Sequence, residues 1–386
     1  MSEATNRLKA ATPAEPARPD GAEHYQRLMA KIWKQDRPLS CNFELTYRCN
    51  LKCEFCYNVD QPETAELTTP QILDTLRKLA DLGVMYCALT GGEPMVHPDF
   101  WQIARAVKRH HMGLRIYTNG CFIDDEAADR FASDVRAIEM EISIHGSTGE
   151  IHDRLTGMRD SLERALAGVR RLRARGVKVM LKMPITRQNQ HQVWDVYRLG
   201  VDLDAPVTFD PVITPRDDGD VDPLRLQATP EFLAKFWSSE WKELRAGYEV
   251  APMDHTTIRA NCGTGQTTIA LDPYGNIFPC VQWRRSAGNV LEVEDLADLW
   301  RTSQVLAEVR KVALEVPRET LGGCESGQFC TFCPGVAELQ TGDPKQMYPQ
   351  ALANARAKER SFRAVRAPGA GDRTEENPVE VCELSG

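Results

Sequence analysis

Short apolar runs alternate with amphipathic stretches through the first half of the chain. The apolar runs predict six strands: Ser40–Tyr47, Tyr86–Thr90, Leu114–Thr118, Ala137–Ile144, Lys178–Ile185 and Pro206–Val212. Period-3.6 stretches between them predict helices near 69–82, 98–111, 124–133, 160–175 and 189–199. Strands that alternate with helices predict an α/β fold with a parallel sheet and right-handed crossovers. Periodicity alone leaves two architectures open, an open doubly wound sheet and a partial (β/α) barrel.

The pattern changes after Val212. A loop at 213–223 precedes a helix predicted near 230–246, and Cys, Gly and Pro then dominate until helical periodicity returns at about 295–315. The later region has few apolar positions for a core, so metal ligation is expected to hold it together.

These changes divide the chain into five segments. We expect an N-terminal extension at 1–38, an α/β unit at 39–214 and a linker with a helix at 215–255, followed by a cysteine-rich unit at 256–363 and a tail at 364–386. Both ends are polar or rich in Ala, Pro and Gly, so we expect them to be disordered.

Composition narrows the class of protein. The 386 residues include 47 Lys and Arg and 55 Asp and Glu, which gives a net charge of −8. This charge does not favour nucleic acid or an anionic membrane as a partner. No apolar run reaches the ~18–20 residues of a spanning helix. A cytoplasmic protein is therefore expected, and there its 12 cysteines indicate metal binding or catalysis rather than disulfides.

Three cysteines follow the first predicted strand. Cys49, Cys53 and Cys56 stand in TYRCNLKCEFCYN, a CX3CX2C spacing. Three thiolates this close can hold one iron–sulfur cluster and leave one iron open for a ligand. The alternative is a zinc knuckle that takes its fourth ligand from elsewhere.

A second motif follows the second predicted strand. Gly91, Gly92, Glu93 and Pro94 combine glycines, which let backbone approach a small ligand, with a carboxylate that can bind an ammonium group. Together with Phe55 before the third cysteine of the loop, this order of motifs resembles the radical S-adenosylmethionine (SAM) family. The resemblance implies a partial (β/α)6 barrel, a [4Fe–4S] cluster on the three cysteines, and SAM bound through residues 91–94.

The resemblance also implies further cofactor contacts. Tyr117, Thr118, Asn119 and Ser143 fall where family members bind the ribose, and the segment with His145 and Arg154 falls where a polar residue approaches the cofactor. Many relatives carry Asp at the position of His145. From the residues alone, each polar group is equally consistent with a turn or a strand cap.

The later cysteines form a second set. Cys262 and Cys280 have the spacing CX12GX4C, the turn DPYGNIFPC suits a hairpin, and Cys324, Cys330 and Cys333 follow. This region resembles the SPASM or twitch extension of radical SAM enzymes. The resemblance implies at least one auxiliary [4Fe–4S] cluster on Cys262, Cys280, Cys330 and Cys333, with Cys324 either a spare thiol or a ligand of a second cluster. A structural zinc site on the same thiolates is the alternative.

Three functions remain open. The first is a radical SAM maturase that cross-links or oxidises a ribosomal peptide, the second a dehydrogenase of a small aminoglycoside-type alcohol, and the third a non-catalytic iron–sulfur electron carrier. About 40 residues precede the first strand, fewer than the roughly 55 of a small leader-binding domain. A maturase would then need a separate leader-recognition protein or a leaderless substrate. Flavodoxin or ferredoxin is the expected electron donor. Asp210, at the end of the sixth predicted strand, and His97, just after the motif at 91–94, are candidate catalytic bases.

Overall fold

The computed structural model describes residues 31, 37–59, 64–255, 260 and 262–366. Most of the predicted N-terminal extension and tail, with Cys382, lies outside these residues. No helix in the described part of the chain is both long enough and apolar enough to cross a bilayer.

One nine-stranded sheet organises the fold. Its order is β6-β5-β4-β3-β2-β1-β7-β8-β9, open at β6 and at β9. The first six strands are parallel, and β7 pairs parallel with β1, whereas β8 and β9 are antiparallel additions. The strands are β1 (Ser40–Glu44), β2 (Tyr86–Thr90), β3 (Gly113–Thr118), β4 (Glu139–Ser143), β5 (Val179–Pro184), β6 (Val207–Asp210), β7 (Thr268–Leu271), β8 (Asn276–Phe278) and β9 (Gly288–Asn289).

Helices connect the parallel strands and surround the cysteine-rich region. They are α1 (Thr69–Leu82), α2 (Phe100–Arg109), α3 (Asp125–Asp129), α4 (Gly149–Thr156), α5 (Ser161–Ala174), α6 (Val193–Asp202), α7 (Pro230–Phe236), α8 (Leu296–Thr302), α9 (Gln304–Val316), α10 (Pro334–Thr341) and α11 (Pro349–Arg366). The first begins at Thr68, which forms a capping box with Gln71, and ends at Gly83 in the left-handed conformation.

The six predicted strands and the helices between them are confirmed, as is the hairpin in the cysteine-rich region (β7–β8). The predicted helix at 230–246 is wrong in its second half, where the α-helix ends at Phe236 and a 3₁₀ segment (Ser239–Arg245) follows. The predicted helix at 295–315 is two helices, because Ser303 breaks the first and its side chain caps the second. The sequence analysis did not predict α4, α10 or α11.

The main hydrophobic core continues across the predicted boundary at 215–255. Phe43 of β1, fully buried, shares a cluster with Ile269 and Leu271 of β7 and with Trp300 and Leu306 of the later helices. A smaller second cluster, which includes Cys330, Phe332 and Tyr348, lies within the C-terminal region. We call residues 262–366 the extension. Because β7 belongs to the central sheet, the extension is joined to the first half by both backbone hydrogen bonds and core packing.

This shared core predicts cooperative unfolding of both halves. Ile269→Ala should lower the free energy of unfolding by about 3 kcal/mol, because it removes a side chain that is 1% exposed. Denaturant unfolding, followed by far-ultraviolet circular dichroism and by tryptophan fluorescence, should shift as one transition. Val221→Ala, at a position that is 52% exposed, is the control and should change little. Two separate transitions, only one of them shifted, would contradict the shared core.

Candidate active site

The three-cysteine loop lies at one wall of a cavity of about 1100 Å³. Cys49, Cys53 and Cys56 all line it. Local hydrogen bonds shape the loop: the Leu51 amide donates to Cys49 Sγ over 3.3 Å, and the Cys56 amide donates to the Cys53 carbonyl over 3.1 Å. The Lys52 amide donates to the carbonyl oxygen of Thr156 at the end of α4 over 2.8 Å. The loop therefore has a fixed conformation with its thiols on one cavity.

Burial holds these thiols in the neutral form when no metal is bound. It raises the pKa of Cys49 to about 11, and it also raises the pKa of Cys53, to which the neighbouring Cys56 and Cys49 add. Burial raises the pKa of Cys56 too. A cationic iron–sulfur core would supply the positive charge that three adjacent thiolates need. The donor set therefore fits such a cluster.

Two glycines form a cradle beside the loop. The Gly92 amide donates to the Thr46 carbonyl over 2.7 Å, and the Glu93 amide donates to the Arg48 carbonyl over 3.0 Å. Gly91 has φ +126°, and a Cβ there would overlap the carbonyl oxygen of Thr46. A Cβ at Gly92 would lie 2.5 Å from the Arg48 carbonyl oxygen. Only glycine at both positions lets the segment after β2 pack this closely against the segment after β1. Both glycines line the cavity.

Glu93 joins the ends of β2 and β3. Its fully buried carboxylate accepts hydrogen bonds from Thr118 Oγ1 (2.9 Å), from the Asn119 amide (2.8 Å) and from the Met95 amide (3.0 Å). Burial raises its pKa to about 7, against the effect of these donors. Pro94 is buried and begins a 3₁₀ turn. Neither Glu93 nor Pro94 is among the residues that line the cavity.

The other predicted cofactor contacts line the cavity in part. Those that do are Phe55, Tyr117, Thr118, Asn119, Ser143 and His145. Asn119 Nδ2 donates to Asn50 Oδ1 over 2.8 Å and lies 3.9 Å from Cys49 Sγ, which links β3 to the cysteine loop. The His145 and Phe55 rings lie nearly perpendicular with their centroids 4.9 Å apart, and the buried Nδ1 of His145 has no hydrogen-bond partner among the residues that the structure describes.

The structure does not bring Arg154 or His97 to the cavity. Arg154 lies on the exposed side of α4. His97 is buried, and its Nδ1 accepts from the Asp99 amide over 3.1 Å at the start of α2, which is a structural use of the ring. Neither residue lines the cavity. His97 therefore lies at the start of α2 and away from the cavity, and its role as a catalytic base stays a prediction.

Asp210 does line the cavity, at the end of β6. Its Oδ2 lies 3.5 Å from Lys182 Nζ, and its Oδ1 accepts from the Val212 amide over 3.1 Å. Glu141 of β4 lines the same wall, and burial raises its pKa while Lys182 opposes the shift. Sequence analysis missed Glu141 and Lys182. Alternation would have placed Glu141 on the same strand face as Ser143, two positions on.

The extension contributes one cysteine to this cavity. Cys333 lines it together with Phe332 and Tyr348, on segments that follow the hairpin region. After burial, the neighbouring thiols of Cys280 and Cys262 raise the pKa of Cys333 further, so these three cysteines are grouped. Two walls of one cavity thus carry cysteines from distant parts of the sequence.

Cys330 is placed differently. It is fully buried in the second cluster, its Sγ lies 3.8 Å from the Ala351 carbonyl oxygen, and its ionisable neighbours are Lys358 and Cys324. Cys330 and Cys333 therefore have different neighbours, although they belong to one CX2C spacing. Among the described residues, no three His, Cys, Asp or Glu side chains converge tightly enough to hold a single metal ion.

Comparison with known proteins supports this site. Residues 43–200 match the sequence model of the Radical SAM superfamily. The chain is 29% identical over 327 residues to the mycofactocin maturase MftC of Mycobacterium tuberculosis, covering 80% of this chain and 81% of that one. It is 26% identical over 339 residues to the AdoMet-dependent heme synthase of Methanosarcina barkeri, covering 80% and 95%.

A solved structure shares the fold over nearly the whole chain. SuiB of Streptococcus suis, bound to precursor peptide SuiA, has a TM-score of 0.64 at 16% identity, covering 90% of this chain and 84% of that one. The cysteine loop, the glycine cradle and strands β2 to β5 fall within the matched segment 43–200. Residues 43–200 therefore form a radical SAM domain.

Proposed function

We propose that this protein is a radical SAM maturase that modifies a ribosomally made peptide. One observation carries the proposal: the three-cysteine loop, the glycine cradle and Cys333 of the extension line a single cavity of about 1100 Å³. That volume accommodates SAM together with a peptide side chain. The sequence similarity to a maturase over 80% of the chain agrees with a peptide substrate.

Cys49, Cys53 and Cys56 would hold the [4Fe–4S] cluster, and the backbone of Gly91 and Gly92 would lie against SAM. A cluster reduced by one electron would, with SAM, supply a 5′-deoxyadenosyl radical and release methionine, and this radical would remove a hydrogen atom from a substrate C–H bond. Asn119 orients the loop through Asn50. Glu93 keeps the ends of β2 and β3 together, so a contact between its carboxylate and the amino group of SAM would come in addition to that structural role.

Asp210 is the proposed proton acceptor. It lies on the cavity wall, and its Oδ2 is 3.5 Å from Lys182 Nζ, an ion pair that positions the carboxylate. A substrate bound between this wall and the cysteine loop would place its C–H bond toward SAM and its acidic proton toward Asp210.

An auxiliary cluster is proposed on the grouped cysteines Cys262, Cys280 and Cys333. A structural zinc ion on the same thiolates is the alternative. Cys330 is the proposed fourth ligand by spacing, and it would have to turn from Ala351 toward Cys333 to bind. Near the substrate, such a cluster could accept the electron left on the product.

The first test distinguishes a peptide substrate from a small-molecule substrate. Purified anaerobically and given SAM and dithionite, the protein should form 5′-deoxyadenosine and change the mass of a peptide encoded by a short reading frame beside its gene. Cys53→Ala should abolish both products, because a cluster ligand is lost. Cys87→Ala, at a buried position away from the cavity, is the control and should retain both. Turnover of an aminocyclitol with the peptide unchanged would favour the dehydrogenase alternative.

A second test addresses the glycine cradle. Gly91→Ala should weaken SAM binding on the order of a hundredfold, since the added Cβ overlaps the Thr46 carbonyl at an unfavourable φ of +126°. Gly219→Ala is matched for backbone strain, with φ +89°, but its Cβ would meet no atom within 4 Å. Calorimetric titration of SAM into reconstituted protein should show a loss for the first variant only. Equal affinity in both would remove the cradle from the SAM site.

A third test addresses the extension. With both clusters present we expect about eight iron atoms per chain, and Cys333→Ser should retain about four, because the auxiliary cluster loses a central ligand. Cys324→Ser should keep the full content. Iron and acid-labile sulfide analysis measures both. Unchanged iron in Cys333→Ser, or a loss in Cys324→Ser, would contradict the proposed ligand set.

A further inference from the structure

Arg284 of the extension is buried against the radical SAM domain. Its Nη1 and Nη2 each donate to one carboxylate oxygen of Glu44, both over 2.9 Å, in a two-pronged ion pair. The Glu44 side chain is fully buried and that of Arg284 is 10% exposed. Glu44 is the last residue of β1, five positions before Cys49. The pair thus joins the extension to the strand that leads into the cysteine loop.

A second carboxylate completes the arrangement. Arg284 Nη2 lies 2.8 Å from Asp217 Oδ2. The loop that carries Asp217 is bonded to the cysteine loop through its own backbone and side chains. The Asp217 amide donates to the Tyr57 carbonyl over 2.9 Å, and Arg216 Nη1 donates to the Cys56 carbonyl over 3.0 Å. Arg284 is therefore linked to both ends of the cysteine loop.

On its other side, Arg284 follows the auxiliary cysteines. It stands four residues after Cys280, and the Trp283 amide donates to the Cys280 carbonyl over 3.3 Å in the intervening turn. The guanidinium lies over the Phe278 ring at 5.1 Å. The guanidinium thus belongs to the same turn as a proposed ligand of the auxiliary cluster.

We infer that Arg284 is a positioning residue. It fixes the turn that follows Cys280 against the cysteine loop and so sets the alignment of the two proposed cluster sites. An apolar contact could bury the same area, but it would not fix direction. A planar guanidinium with two carboxylates fixes both distance and orientation. The part of this inference that concerns a cluster potential rests on the proposed auxiliary cluster, whereas the mechanical link between the two loops does not.

Hydrogen exchange tests the link in metal-free protein. In Arg284→Met, amide exchange should accelerate on the order of a hundredfold both in 281–287 and at Asp217, because breaking a buried ion pair leaves two carboxylates without their cation. Arg285→Met is the matched control: Arg285 pairs with Glu338 of α10 at 2.7 Å, so its loss should leave the Asp217 amide protected. Acceleration confined to 281–287 in Arg284→Met would overturn the inference.

A potential measurement separates position from charge. In a background with Cys49, Cys53 and Cys56 changed to Ala, Arg284→Met should lower the midpoint potential of the remaining cluster, since a nearby cation that favours reduction is removed. Arg284→Lys should restore the potential but not the protection of Asp217, because lysine keeps the charge without the fork. An unchanged midpoint potential of the cluster in Arg284→Met would contradict the inference that Arg284 aligns the two sites. A background without iron would refute the auxiliary cluster, and the exchange data would still decide the link.

Discussion

The parallel pairing of β7 with β1 is the constraint on which the arrangement of this protein depends. Four residue pairs join the two strands, from Ser40 with Thr268 to Phe43 with Leu271. Since β1 also leads into the cysteine loop, the strand that begins the extension is fixed against the strand that presents the proposed SAM cluster. Burial of β7 in the main core adds a hydrophobic contribution to these hydrogen bonds. One cavity can therefore receive cysteines from both ends of the chain.

The region around Gly91 shows how close approach and charge burial are combined. The backbone carbonyls of Thr46 and Arg48, just before the cysteine loop, accept hydrogen bonds from amides of the glycine segment. This close approach leaves no room for side chains at Gly91 and Gly92. Glu93 then satisfies three donors from two strand ends with one carboxylate. Burying that carboxylate is costly, and hydrogen bonds offset much of the cost. The site is thus built rigid before any ligand binds, which favours tight and oriented SAM binding.

Glu44, Arg284 and Asp217 place two carboxyl groups and one guanidinium in a largely buried position. Burial raises the pKa of Asp217 to about 7, with Arg284 lowering it and Glu44 raising it again. Burial also lowers the pKa of Arg284, but Glu44 and Asp217 outweigh it and raise the value, so the guanidinium stays charged. Buried ion pairs add little net stability compared with apolar packing. Their retention here is explained by geometry, because they connect three segments that surround the cavity.

Features that depend on neighbouring residues could be predicted from the sequence: the alternation of strands and helices, the loop of Cys49 to Cys56, and the glycine segment after β2. Their chemistry follows from local spacing, which a linear chain displays directly. Which distant side chains meet depends instead on the folded structure. It grouped Cys333 with Cys262 and Cys280 and left Cys330 beside Cys324. It likewise placed His97 at the start of α2 and paired Arg284 with Glu44, 240 positions away. Such contacts depend on the order of strands in the sheet, which hydrophobic periodicity does not reveal.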